Sequence, residues 1–164
     1  MLARFNRCKL LVCLILTATI YLSALRLAAA AEPAFFLRDY QQMRLIISST
    51  TRGCILFDVY VAQTPQQRSQ GLMHIESMGQ HEGMIFLYAE ESSISMWMKN
   101  TLIPLDMLFI GRDSRIAHIH KNAVPQSEDI IESGSAVVGV LELAGGAADY
   151  FAIKNGDKII FPAG

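Results

Sequence analysis

From Met43 onward, the order of apolar and polar positions predicts short strands joined by turns. Met43 to Ser48 is a short apolar run. Thr50-Thr51-Arg52-Gly53 follows as a turn. Cys54 to Ala62 alternates, with Ile55, Phe57, Val59 and Val61 on one face and Asp58 and Tyr60 on the other, as in a half-buried strand. The two runs predict a hairpin. Thr64-Pro65-Gln66-Gln67 opens a short helix, with Thr64 as cap, Pro65 at the first helical position, Gln67 completing a capping box and Gly71 ending it. Strands are predicted over 83–88, 95–99, 105–110, 115–120, 137–143 and 158–161, with loops at 90–93 and 124–135. Gly145 to Ile153 suits a second short helix. About eight strands, mostly beside their sequence neighbours, and two short helices make the expected fold mainly β. The architecture expected is a compact antiparallel β-sandwich or small barrel.

The N-terminal pattern is different. Arg4, Arg7 and Lys9 precede an uncharged apolar run from Leu10 to Leu25, and Ala28-Ala29-Ala30-Ala31 follows. This order predicts a secretory signal peptide over residues 1–31, then a linker over 32–42 and a single β-rich domain over 43–164. The protein is accordingly expected to be exported, periplasmic or extracellular. The alternative is an uncleaved N-terminal anchor, since the apolar run is long and Arg26 interrupts the cleavage region. No membrane span is expected after signal removal.

Removing the leader changes the charge. It holds Arg4, Arg7, Lys9 and Arg26 among the 14 Lys and Arg and none of the 15 Asp and Glu. The remainder is acidic and has no basic footprint for nucleic acid. Cys8 and Cys13 also lie in the leader, so Cys54 has no internal disulfide partner and reads as a small core residue.

The candidate chemistry sits in Met96–Ile110, an apolar stretch interrupted by Lys99, Asn100 and Asp106. Strand parity puts Trp97 and Lys99 on one face, and Asp106 with Leu108 and Ile110. Glu142 shares a face with Val138 and Val140 in a strand apolar on both sides. Two carboxylates therefore belong at or near the core, where charge must be paired or hydrogen-bonded. Two arrangements satisfy this. Lys99 pairs with Asp106 or Glu142 while Asn100 and Thr101 tie down a turn, or Glu82, Lys99, Asn100, Asp106 and Glu142 converge on a pocket beside Trp97. His118 and His120 share a strand face and could begin a metal site. With no third ligand in view, they read as solvent-facing, and neither metal nor cofactor is expected.

Gly71-Leu72-Met73, Gly83-Met84-Ile85-Phe86, Trp97-Met98-Lys99-Asn100-Thr101, Pro104-Leu105-Asp106, Val140-Leu141-Glu142-Leu143, Gly145 and Gly156-Asp157 occur in this order. Over about residues 54–161 the chain resembles the domain-of-unknown-function 192 family. The resemblance implies a compact β-rich domain, often exported in bacteria, and carries no established activity. The family often has an aromatic residue and an Arg after Gly-Leu-Met, where this chain has His74-Ile75.

The leading expectation is a periplasmic binding or accessory module with a polar site at Trp97, Lys99, Asn100, Asp106, Glu142 and Glu82. Its partner would be a small polar ligand or an envelope protein, with no nucleic acid. The opposing readings are a hydrolase using Asp106 and Glu142 as an acid–base pair and a structural envelope protein. The sequence leaves open whether the protein is an enzyme.

Overall fold

Seven strands and two short helices follow one another in a computed structural model that describes residues 37–161. The predicted leader, residues 32–36 of the predicted linker and residues 162–164 lie outside the described residues. The strands are β1 (Gln41–Ser49), β2 (Gly53–Ala62), β3 (Glu82–Met96), β4 (Leu105–Ile110), β5 (Ile116–Ala123), β6 (Ile131–Ala144) and β7 (Lys158–Ile160). The helices are α1 (Pro65–Gln70) and α2 (Ala147–Tyr150). Among the described residues, no helix is long and apolar enough to cross a membrane.

The strands form one sheet in the order β5-β4-β6-β3-β2-β1-β7. It curls until its two edges meet at one end. Arg115 bridges Lys158, Ile159 N–H donates to Ser114 O (2.8 Å), and Ile116 N–H donates to Asp157 O (3.0 Å). Such closure satisfies edge groups that would otherwise stay unpaired. The expected barrel is thus present as a curled, partly closed sheet. The predicted β1–β2 hairpin pairs Gln41 with Val61 through Ser49 with Gly53.

The pairing of β2 with β3 is parallel, with Val59 opposite Gly83 and Ala62 opposite Phe86. Parallel neighbours need a crossover, and α1 with the segment after it supplies one. The capping box of α1 forms as predicted: Gln67 N–H donates to Thr64 Oγ1 and Thr64 N–H to Gln67 Oε1, each at 3.1 Å. The crossover carries α1 and Gly71–Ile75 over the outer face of the sheet, and this placement creates the site.

Residues 90–93, predicted as a loop, continue β3, and 131–135 begin β6 rather than closing a loop. Ser92–Met96 pairs with Ile131–Val137 as a mostly exposed two-stranded extension, offset by register shifts from the pairing nearer the core. Its residues are polar because it covers little of the core, so the hydrophobic pattern that marks the other strands is missing. Trp97–Lys99 lies past the end of β3 and is not strand. These two changes turn eight predicted strands into seven.

The sheet is buried on both faces at its centre. Inside the curl lie Leu45 and Ile47 of β1, Phe57 and Val59 of β2, Ile85 of β3 and Leu141 of β6, with Phe151 edge-on to Phe57 (5.3 Å between centroids). The outer face of β3, β6 and β4 carries Met84, Phe86, Val140, Met107 and Phe109, also buried. This explains why every residue of β4 is buried and why the strand reads as a continuous apolar run. Gly83 permits the close approach of β3 and β6, since a Cβ there would lie 2.4 Å from Glu142 O. Cys54, expected in the core, is exposed because it falls on the polar phase of β2. Leu37 and Tyr40, assigned to the linker, are buried against the fold, and Tyr40 Oη donates to Gln67 O (3.1 Å).

Candidate functional site

Asp106 and Glu142 both lie in the interior, as strand parity implied, yet they leave opposite faces of the sheet. Glu142 pairs with Met107 and so shares the outer face with it, whereas Asp106 pairs with Leu143 and points inside the curl. The structure does not bring them together as an acid–base pair.

Asp106 is fully buried, and its carboxylate accepts three backbone N–H groups: Asn122 (2.8 Å), Gly146 (3.2 Å) and Ala148 (2.7 Å). The helix α2 starts at Gly146 (φ 85°), which has no side chain to cap it. Its first N–H groups would be orphaned inside the fold. Asp106 supplies the missing cap from a strand 42 residues away in sequence. Its role is architectural, and it is not a member of the pocket expected at Trp97. The lack of a Ser, Thr, Asp or Asn before α2 was the sequence signal for this arrangement.

Glu82 is also elsewhere. It is exposed, its Oε2 accepts Gly79 N–H (2.8 Å), and it lines a separate depression with Gln42, Arg44 and Asp58. Lys99 pairs with neither Asp106 nor Glu142. Its Nζ lies 3.8 Å from Glu128 and 5.2 Å from the centre of the Trp97 ring.

Three of the expected residues, Trp97, Lys99 and Asn100, do share an open groove of about 650 Å³, whose far wall is α1 and Met73. Two turns shape its mouth. His74 (φ 63°) and Asn100 (φ 54°) are left-handed, a conformation non-glycine residues adopt only when the surroundings enforce it. His74 N–H donates to Asn100 O (2.9 Å), so each turn holds the other. Thr101 O accepts Gln126 N–H (3.0 Å), which fixes the segment against the loop after β5.

A smaller cavity of about 100 Å³ adjoins the groove and reaches Glu142; Ser69, Gln70, Met73, Trp97 and Lys99 line both spaces. Glu142 is only 4% exposed, and its carboxyl takes no hydrogen bond or ion pair among the described residues. No fully enclosed side-chain polar atom among these residues lacks a hydrogen bond. The Glu142 oxygens therefore keep their remaining solvent contact through this cavity. Burial pushes the carboxyl up from 4.5 to about 8, so it is protonated at neutral pH.

Among the residues of this cavity that sequence reading missed are two titratable ones, Arg68 and Tyr88. Arg68 sits over the Tyr88 ring (4.9 Å to its centre) and donates to Leu87 O (3.1 Å) and Gln63 O. Burial raises the Tyr88 phenol, with a further upward push from Glu142 and an opposing one from Arg68. Tyr88 shares strand parity with Met84 and Phe86, so its face was legible. The position of Arg68 depends on the direction of the crossover, which no local pattern encodes.

His118 and His120 share the outer face, and the His118 ring stacks on Phe109 (5.8 Å between centroids). No group of three potential metal ligands occurs among the described residues.

Comparison with known proteins places this geometry. The sequence model of the DUF192 family, described as Uncharacterized ACR, matches residues 46–161. A crystal structure of a Sinorhizobium meliloti 1021 protein, described as a candidate transcription regulator, is 41% identical with a TM-score of 0.73. It covers 74% of this chain and 95% of its own. A Novosphingobium aromaticivorans DSM 12444 protein of unknown function is 36% identical with a TM-score of 0.74, covering 81% and 94% respectively. No curated protein matches.

Proposed function

This chain belongs to the DUF192 family, and we propose that it is an exported binding module that holds a small polar ligand in the groove beside Trp97. The observation that carries this reading is the unpartnered carboxyl of Glu142, buried yet open to a cavity at the foot of that groove. An interior carboxyl without partners is costly. Asp106, in the same sheet, has all the partners it needs. Glu142 has none because its partner is supplied from outside. Trp97, 44% exposed, offers an apolar face to the body of the ligand, and Lys99 and Asn100 offer polar edges. A concave site with a few converging polar groups is the usual form of a small-molecule site. Export is supported by the basic, apolar and alanine-rich order of residues 1–31.

The test is a thermal-shift screen against sugars, amino acids and cell-wall fragments, run beside Trp97→Ala. A ligand at 100 times its Kd stabilises by about 2.7 kcal/mol. A compound that raises the Tm of the wild type, with the shift lost in Trp97→Ala, is the expected result. Shifts of equal size in both proteins would refute the groove as the binding site. Mass spectrometry of the periplasmic fraction tests export, with an N-terminus at Ala31 or Glu32 expected; recovery of the chain in the cytoplasm alone would refute it.

A further inference from the structure

The charges around Glu142 constrain what the groove can hold. The lining of its cavity carries three other charged or titratable groups: Arg68 from α1, Tyr88 from β3 and Lys99 from the segment after β3. On the other flank, β4 faces Glu142 with the uncharged Met107. Arg68 hydrogen-bonds only to backbone carbonyls and has no carboxylate partner among the described residues. Lys99 has only a long contact to the exposed Glu128. A cation entering the site would be repelled by two cations already there, Arg68 over the Tyr88 ring and Lys99 near the Trp97 ring. An anion would meet two cations with little to neutralise them. The cavity, about 100 Å³, is much smaller than the adjoining groove of about 650 Å³, so it suits one polar group of a ligand whose body lies in the groove.

We propose that the ligand is a small molecule bearing a carboxylate, which enters the cavity and accepts a hydrogen bond from the Glu142 acid between Arg68 and Lys99, while its body lies on Trp97. This deepens the groove reading above and rests on it. An acid-to-carboxylate hydrogen bond is short and strong in a poorly hydrated site. It exists only while Glu142 keeps its proton, so affinity is lost as pH rises through the range where Glu142 ionises and the two anions repel. The protein would thus hold its ligand in neutral or acidic surroundings and release it in alkaline ones.

Trp97 is the only tryptophan in the chain, so its fluorescence reports on the groove directly. The experiment titrates the protein, purified as its host produces it, with benzoate, benzamide and benzylamine, which share a ring and differ in charge. At about pH 6, benzoate is expected to move the emission saturably and to bind at least about tenfold more tightly than the other two. At about pH 9.5 its affinity falls about thirtyfold in the wild type. In Glu142→Gln, which mimics the neutral acid, affinity changes little with pH. Lys99→Met, which removes one of the two cations of the lining, weakens benzoate severalfold more than it weakens benzamide. Tighter binding of benzylamine, or equal binding of benzoate and benzamide, overturns the carboxylate inference and leaves the groove standing. No response to any of the three overturns the groove reading, and the inference with it.

Discussion

Replacing Glu142 by glutamine isolates the cost of burying its carboxyl. The group titrates near 4.5 when exposed and near 8 in the fold. Below pH 4.5, folded and unfolded chains both carry the proton, and burial costs nothing through this group. Between 4.5 and about 8 the unfolded chain has lost the proton while the folded chain keeps it, so stability falls as pH rises. Above about 8 both forms are ionised and the whole cost stands. At 1.36 kcal/mol for each pH unit, that separation comes to about 5 kcal/mol. Glutamine keeps the shape and cannot ionise, so Glu142→Gln lacks this slope. Urea denaturation of both proteins from about pH 4 to pH 9 gives the difference directly, because groups common to both cancel. The stability of the variant relative to wild type should climb by about 1.4 kcal/mol per pH unit across this window and then level off. A difference independent of pH would refute the argument, since it would mean that Glu142 ionises normally in the fold and that its environment is not desolvated.

Three further predictions concern the frame around the site. Asp106→Ala leaves the N–H groups of Asn122, Gly146 and Ala148 without their acceptor and should cost about 3 kcal/mol or more, read by urea denaturation. Because Asp106 faces away from the groove, the variant should keep the wild-type Trp97 emission while folded. Gly83→Ala places a methyl group 2.4 Å from Glu142 O and should lower stability by about 1–3 kcal/mol, with the Tm falling by several degrees. Thr64→Ala removes the N-terminal cap of α1 and should cost about 1 kcal/mol in the same assay.

Much of the frame can be read from local pattern because it is set by local chemistry. The capping box of α1 depends on residues three apart, and it forms. The burial of Ile55, Phe57, Val59 and Val61 follows the two-residue period of a strand. The burial of both Asp106 and Glu142 followed from strands apolar on each side. Local pattern failed at residues 90–93 and 131–135, which lie in the extension of β3 and β6 beyond the core, where Ser92–Met96 pairs with Ile131–Val137 instead of covering the core. It also misplaced Cys54, whose apolar character suggested burial while its phase in β2 put it outside.

By itself, then, the sequence determined the strand-rich class, the positions of most strands and the presence of two interior acids. Each of these depends on neighbours a few residues away. Only the tertiary structure decided what the acids do. Asp106 lies near the N-terminus of a distant helix and is consumed in capping it. Glu142 leaves the opposite face, where the parallel crossover carries Arg68 and the groove over it. A buried acid becomes a structural clamp or an open site according to which backbone groups the chain brings to it, and sequence periodicity holds no record of that.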